Sequence, residues 1–504
     1  MTTVRASAAA AGVLAAATVL AVGHLIAAFI DPAASPFYVL GATMVDHTPH
    51  ALKDAAIRRF GSNDKAALFV SMAVVMLLGG AATGLLERRR HLGSALLIAL
   101  GAVTTLAALQ RPTATALFAV PISAGIVAGL LTLRLLIPAP RTNDPASQLS
   151  RRRFLIVAGS VTVFAAAAAA GTGQWLGARL RDVAADRARF VLPRPQSPAA
   201  PIPPQAQPAV ESLTPFLTSE DDFYRVDTAL QLPALTRADW RLRIHGMVDR
   251  TVEFDFDRLD SYPTVERILT LACVSNEVGG PLAGTARWLG YRLPDLLAQA
   301  GPHPDADMLL SRSIDGFTAG TPLSAVLDGR DALLAIGMNG TPLPIAHGYP
   351  ARLLVPGLYG YVSATKWVVD LEITRFDRTR AYWTDRGWSA HAPVKTASRI
   401  DTPAPFATLP AGPVTIAGVA WAPHRGIDTV EIQIDDTPWQ QATLATEYSP
   451  DTWRLWTYRW PATPGTHTLR VRATDRTGHR QTDHRTPPFP DGATGRHQRV
   501  VTVE

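Results

Sequence analysis

Apolar residues fall in long unbroken runs over the first third of the chain and in short alternating stretches after it. The long runs lie near 8–30, 66–86, 92–110, 113–137 and 154–176. Each comes close to the roughly 20 residues a helix needs to cross a bilayer. Their succession predicts an all-α transmembrane region of about five spans over residues 1–176, too many for a signal peptide ahead of a soluble core. Prolines 193, 195, 198, 201, 203, 204 and 208 then predict a semi-extended spacer over 177–212. From 213 to 402 the periods mix. Trp240 to His245 alternates and turns at Gly246, and Ile268 to Cys273 reads as a buried strand. Tyr291 to Ala300 sets Leu293, Leu296 and Leu297 on one helical face, and Ala332 to Asn339 is a strand turned by Gly340. These stretches predict a mixed α+β domain. Over 403–504, Val414–Trp421, Val430–Ile434 and Thr468–Ala473 alternate between closely spaced turn signals, which predicts a β-sandwich.

Charge placement orients the membrane part. Arg88, Arg89 and Arg90 follow the second run, and Arg141, Arg151, Arg152 and Arg153 precede the fifth. Both clusters belong in the cytoplasm by the positive-inside rule. The N-terminus is then inside and residues 177–504 are extracytoplasmic. On the outer side, Lys53, Arg58, Arg59 and Lys65 are offset by Asp46, Asp54 and Asp64, and His50 to Phe60 fits an interfacial amphipathic helix. The first four spans are read as lacking a buried carboxylate or lysine array, which argues against a transporter. Ser150 to Leu155 resembles a twin-arginine export signal, and it reads equally as a plain positive-inside anchor. His24 lies inside the first span, with His47 and His50 after it; an intramembrane histidine serves either haem ligation or helix packing. A net charge of +6 with no basic run interleaved with aromatics excludes nucleic acid as a partner.

Cys273 is the only cysteine among 504 residues, so no internal disulfide forms. It is either an inert buried side chain or a thiolate with one task. Asn276, Gly279, Gly280 and Gly284 surround it with turning backbone, where a soft thiolate can ligate a soft metal or attack as a nucleophile. Further on, His347, Arg352 and Lys366 sit at glycine- or proline-marked turns around two apolar strands. Three potential cations on such backbone suit a phosphorylated ligand. No Walker or dinucleotide glycine fingerprint is present, which argues against ATP and NAD.

The stretch Thr270-Leu271-x-Cys273-x-x-Asn276, followed by Gly279-Gly280-x-Leu282-x-Gly284-x-Ala286-x-Trp288-x-Gly290, resembles the molybdenum-binding loop of the sulfite oxidase family. Met338-Asn339-Gly340, His347-Gly-Tyr-Pro-x-Arg352, Val355-Pro356-Gly357 and Lys366-Trp367 resemble later motifs of that family in order and spacing. So does Phe223-Tyr224-Arg225-Val226-Asp227-Thr228, its first pterin-contact segment. The resemblance implies a molybdenum–molybdopterin cofactor with Cys273 as the protein's metal ligand. It implies that Arg225, Asn276, Asp315, His347, Arg352, Ser363, Thr365 and Lys366 contact the cofactor or line its pocket. Arg225 and Arg352 would attract the substrate, a small oxyanion or oxo compound. It also implies an immunoglobulin-like dimerisation domain over 403–504, and hence a homodimer. Typical sulfite-oxidising members carry an arginine five residues after the cysteine, where this chain has Val278 beside Glu277. With no Cys-x-x-Cys-His and no iron–sulfur cysteines, electrons require a separate acceptor or haem in the membrane helices. The rival expectation is a membrane-tethered adhesion module with an inert Cys273.

Overall fold

A computed structural model describes residues 2–48, 52, 64–88, 91–111, 113–137 and 151–504. The chain divides into two compact units, 1–181 and 182–504.

In the first unit the central helix Thr2–Ile30 packs against Asp64–Glu87 and Ala119–Leu136, and Leu92–Leu109 packs between those two. Among the described residues, four helical stretches are long and apolar enough to cross a membrane: Arg5–Ile30, Ala67–Glu87, Leu92–Leu109 and Ala116–Leu136. The expected fifth run lies in the helix Arg151–Arg189, several of whose side chains are outside the described residues. The expected interfacial helix at His50 to Phe60, apart from Leu52, is outside them, as are Arg89, Arg90 and Arg141 of the arginine clusters. Two findings modify the sequence reading. Glu87 is a buried carboxylate at the end of its span, accepting from Ser94 N–H at 2.6 Å and Ser94 Oγ at 2.8 Å. A short helix, Pro36–His47, follows the first span, and His24 Nδ1 lies 3.0 Å from Ser35 Oγ just before it. His47 bonds instead to its own helix through Thr43 O.

The second unit is rich in β-structure. Its first part holds two sheets. One orders β1 (Leu242–Gly246), β2 (Val252–Phe254), β5 (Met308–Ser313), β6 (Thr318–Pro322) and β10 (Val368–Thr374) as β2-β1-β10-β5-β6. The other runs β3 (Thr264–Ala272), β4 (Ala283–Arg292), β7 (Leu333–Met338), β8 (Thr341–Pro342), with β9 (Arg352–Leu354) also on β7. β4 is hydrogen-bonded along both edges, to β3 and β7, and its ladder with β7 takes in Tyr291 and Arg292 opposite Leu334 and Leu333. The helix expected from Tyr291 therefore begins only at Leu293, with Pro294 in its first turn.

The C-terminal part is a two-sheet sandwich. One sheet joins Ala397–Thr402, Gly412–Trp421, Arg454–Ala462 and Thr443–Leu444. The other joins Thr408–Leu409, His497–Val503, Gly465–Asp475, Ile427–Ile434 and Gln440–Gln441. Trp456 and Trp460 fill its own core. Trp453 belongs to a core shared with the first part, where its indole N–H donates to Phe216 O at 2.9 Å.

The proline-rich stretch is extended but is not a free spacer. Gln196 N–H donates to Thr264 O at 2.8 Å, Glu266 N–H donates to Ser197 O at 2.8 Å, and Ala206 is fully buried. Its backbone donors and acceptors are answered by the edge of β3, which explains why it lies on the domain.

Candidate active site

Cys273 stands where β3 ends. The loop after it closes on itself: Cys273 N–H donates to Leu282 O at 2.9 Å, Asn276 N–H to Cys273 O at 3.1 Å, and Leu282 N–H to Asn276 Oδ1 at 2.8 Å. Gly279 takes φ +80°, and a Cβ there would lie 2.2 Å from the His497 ring, so only glycine fits. The C-terminal domain braces the loop from outside. Arg399 Nη1 donates to Gly280 O at 3.0 Å, Thr270 N–H donates to Asp451 O at 2.9 Å, and Trp453 N–H donates to Thr270 Oγ1 at 2.7 Å.

Cys273 is buried, and burial pushes its thiol up despite hydrogen bonds from Ser275. A thiol held in its neutral form is a poor nucleophile, whereas a coordinating metal deprotonates it outright. Tyr224 and Tyr359 share its surroundings. Burial raises both phenols, Tyr359 to about 12, so both are neutral donors.

A cleft of about 120 Å³ opens on one side of Cys273, with Arg225, Asp227, Asp315, His347, Arg352 and Lys366 on its walls. Arg352 lies on β9, stacked 5.2 Å from the Trp288 ring. It donates to His347 O at 3.0 Å and Ala364 O at 3.4 Å, while its buried Nε has no partner. Burial lowers its pKa to about 10, since no carboxylate answers it. His347 Nε2–H donates to Glu220 O at 3.1 Å, and burial beside Arg352 pulls its pKa down to about 4. The ring is therefore neutral at neutral pH. Lys366 Nζ donates to Asp227 Oδ2 at 2.7 Å and Ala346 O at 3.2 Å, and burial lowers it to about 8. Arg225 Nε donates to the same Asp227 Oδ2 at 3.1 Å. Gly348, at φ +113°, lets these arms meet: a Cβ there would fall 3.0 Å from Arg352 Cβ and 3.2 Å from Lys366 Cα.

Other residues that the sequence offered go elsewhere. Ser363 Oγ donates to Leu358 O and Tyr359 O at 3.1 and 3.0 Å, and Thr365 Oγ1 lies 2.7 Å from Ser311 Oγ, so both hydroxyls are spent on packing while Ala364 between them lines the cleft. Asn276 lies on a different cavity. Asp227 was not singled out from the sequence, yet it orients two of the cations; its place two residues after Arg225 was the available signal.

That other cavity, of about 460 Å³, reaches Cys273 from the opposite side. Asn276, Glu277, Val278 and Tyr359 form one wall, and Arg425, Asp475, His479 and Arg480 of the C-terminal domain form the other.

The residues fit a molybdopterin. Buried Arg352, largely buried Lys366 and the exposed Arg225 suit its phosphate, Arg352 Nε awaits an acceptor, and the soft sulfur of Cys273 suits its metal. Among the described residues no group of three or more His, Cys, Asp or Glu is placed to hold a metal ion.

Comparison with known proteins agrees. Residues 229–383 match the oxidoreductase molybdopterin-binding domain, and residues 397–471 match a bacterial Ig domain. The chain is 29% identical over 317 residues to mitochondrial sulfite oxidase of Homo sapiens, which covers 53% of this chain and 58% of that protein. It is 28% identical over 312 residues to sulfite oxidase of Gallus gallus, covering 52% of this chain and 68% of that one. The crystal structure of sulfane dehydrogenase SoxCD from Paracoccus pantotrophus shares the fold, with a TM-score of 0.50 at 24% identity over 57% of this chain and 83% of that one. Residues 229–383 thus form an oxidoreductase molybdopterin-binding domain, in a chain that is similar to sulfite oxidases over about half of its length.

Proposed function

We propose that this protein is a membrane-anchored molybdenum enzyme that transfers an oxygen atom to or from a small oxyanion or oxo compound. The observation that carries this is the convergence of a buried thiol, Cys273, with Arg225, Arg352 and Lys366 on one cleft. Bound there, the cofactor supplies two-electron oxygen-atom transfer. Cys273 is the metal's protein ligand. Arg352 and Lys366 hold the anionic end of the cofactor, and Asp227 keeps Lys366 and Arg225 in place. His347, neutral and hydrogen-bonded through Nε2–H, packs on Phe223 and donates no charge. Tyr359 keeps a neutral hydroxyl near the sulfur. Asp315 shapes the turn at Phe317, whose N–H donates to Asp315 Oδ1 at 3.2 Å.

The helices up to residue 176 anchor the enzyme, and residues 177–504 work outside the cytoplasm after export in the folded state. A cytoplasm-only reporter fused after Glu504 is then silent; an active one overturns this orientation. Electrons pass to a separate acceptor, and the C-terminal domain serves a homodimer. Steady-state assays with sulfite, sulfoxides and N-oxides, run beside molybdenum analysis, test the activity. Full molybdenum without any oxygen-atom transfer contradicts the reading, and protein without molybdenum favours the adhesion alternative.

A further inference from the structure

We infer that Asp186 and Arg187, consecutive in the last turn of the helix Arg151–Arg189, are positioning residues for the cofactor cleft: they grip segment 341–349 at its two ends and so fix the carbonyls on which Arg352 and Lys366 rest. The inference rests on the molybdenum reading.

The end of this helix belongs to the second unit. Val183, Asp186, Arg187 and Phe190 are buried or half-buried, while Ala184, Ala185, Ala188 and Arg189 are exposed. Steps of three, one and three residues put the first set on one helical face. Val183 shares a core with Trp288, Leu343 and Tyr349. A carboxylate this close to a helix C-terminus is disfavoured by the helix dipole, so the helix itself does not call for Asp186. The domain does. Asp186 Oδ2 accepts from Tyr349 Oη–H at 2.6 Å and Arg237 N–H at 2.9 Å, and Oδ1 accepts from Arg237 Nη2 at 3.0 Å. Burial would raise this carboxyl, but the donors from Arg237 and Tyr349 outweigh it and hold the group below the usual carboxylate value. Arg187 takes the other end of the segment. Its Nε donates to Leu343 O at 2.9 Å, and its Nη2 to Pro342 O at 2.7 Å and Thr341 Oγ1 at 3.2 Å.

Between the two grips the segment serves the cleft. Ala346 O accepts from Lys366 Nζ at 3.2 Å, and His347 O accepts from Arg352 Nη1 at 3.0 Å. No β-ladder runs from Leu343 to Ala351; one 3-10 turn, Ile345–His347, leads into Gly348 at φ +113°. Side chains must therefore fix what a ladder fixes elsewhere. Arg352 depends on them most, because its guanidinium is aimed by two carbonyls, His347 O and Ala364 O, and by no carboxylate. A shift at Tyr349 moves His347 O and turns that guanidinium away from the anion it is placed to meet.

The test uses full-length protein prepared with a molybdate supply, and reads the pterin left on the chain over time through successive gel filtrations. Asp186→Asn should speed pterin loss about tenfold. In an Arg352→Gln background the same change should add less than about twofold, since the cation it aims is already gone. Tyr349→Phe should act in the same direction, and serves if Asp186→Asn fails to fold. Glu431→Gln is the control: it breaks an ion pair to Arg472 Nε at 2.7 Å in the C-terminal domain and should leave pterin loss unchanged. Wild-type rates in both Asp186→Asn and Tyr349→Phe overturn the inference. So does the same acceleration with and without Arg352, or an equal acceleration in Glu431→Gln. Each of these leaves the cofactor assignment intact. Wild-type protein that holds neither molybdenum nor pterin instead overturns the reading beneath it.

Discussion

Two cavities meet at Cys273, and they treat positive charge in opposite ways. In the cofactor cleft, Arg352 has no carboxylate partner and keeps an unpaired buried Nε, while Lys366 and Arg225 share the single carboxylate of Asp227. Across the cysteine, Arg425 and Lys395 each have a carboxylate of their own. Burying a cation without a counter-ion costs several kcal/mol unless a ligand answers it. The first cleft therefore stores a buried demand for an anion, which Arg425 and Lys395 across the cysteine do not. On the proposed reading, this marks the first cleft as the one that holds a phosphorylated cofactor.

Cys273→Ser breaks the comparison at its hinge, and the largest effect is expected there. Turnover should fall below detection. Circular dichroism should be unchanged, because one small loop side chain contributes at most a few kcal/mol. Next comes Arg352→Gln, which removes the unanswered cation. The loss of a charge-assisted contact, about 1.5–3 kcal/mol, should weaken cofactor retention roughly ten- to a hundredfold, read as pterin content after gel filtration. Retention at the wild-type level would mean that the phosphate lies elsewhere. Val278→Arg sharpens the contrast from the other side by adding a cation beside Glu277 in the second cavity. KM for sulfite should drop about tenfold. A wild-type efficiency already near 10⁶–10⁸ M⁻¹s⁻¹, unimproved by the arginine, would show that the cavity already suits the dianion.

How far these sites were legible depends on where their contacts lie along the chain. His347, Arg352 and Lys366 could be grouped because one short segment with glycine and proline turns carries all three. Direction was harder. Ser363 and Thr365 flank Ala364, and neighbours in sequence point to different sides, so naming the whole stretch included two hydroxyls that face the packing. The second cavity was out of reach. Its far wall lies some 120 residues or more beyond Asn276–Val278, and the bracing of β3 by Trp453 joins positions 183 apart. Such pairings leave no local period. The proline stretch misled for a related reason: composition predicted an extended chain but not that the β3 edge would take up its hydrogen bonds.

The smallest expected effect is on pH dependence. His347 and His497 are both held to about 4, chiefly by burial, and His497 Nδ1 accepts from Ile400 N–H at 2.9 Å. Their folded values lie below the unfolded 6.5, so between pH 6.5 and 4 the unfolded chain binds more protons. Stability should be full above pH 6.5 and decline as pH falls toward 4, on both sides of Cys273 alike. Tryptophan-fluorescence unfolding at pH 7 and 5 should show the loss, and His497→Gln should reduce it. Equal stability at both values would contradict the buried neutral rings.

Molybdenum and pterin analysis of the purified full-length protein tests the central claim most directly. The account predicts metal and pterin equimolar with the chain in the wild type, and loss of the Cys–molybdenum X-ray absorption signature in Cys273→Ser. Wild-type protein prepared with a molybdate supply that carries neither metal nor pterin, or a Cys273→Ser variant with an unchanged metal–sulfur signature, would contradict it.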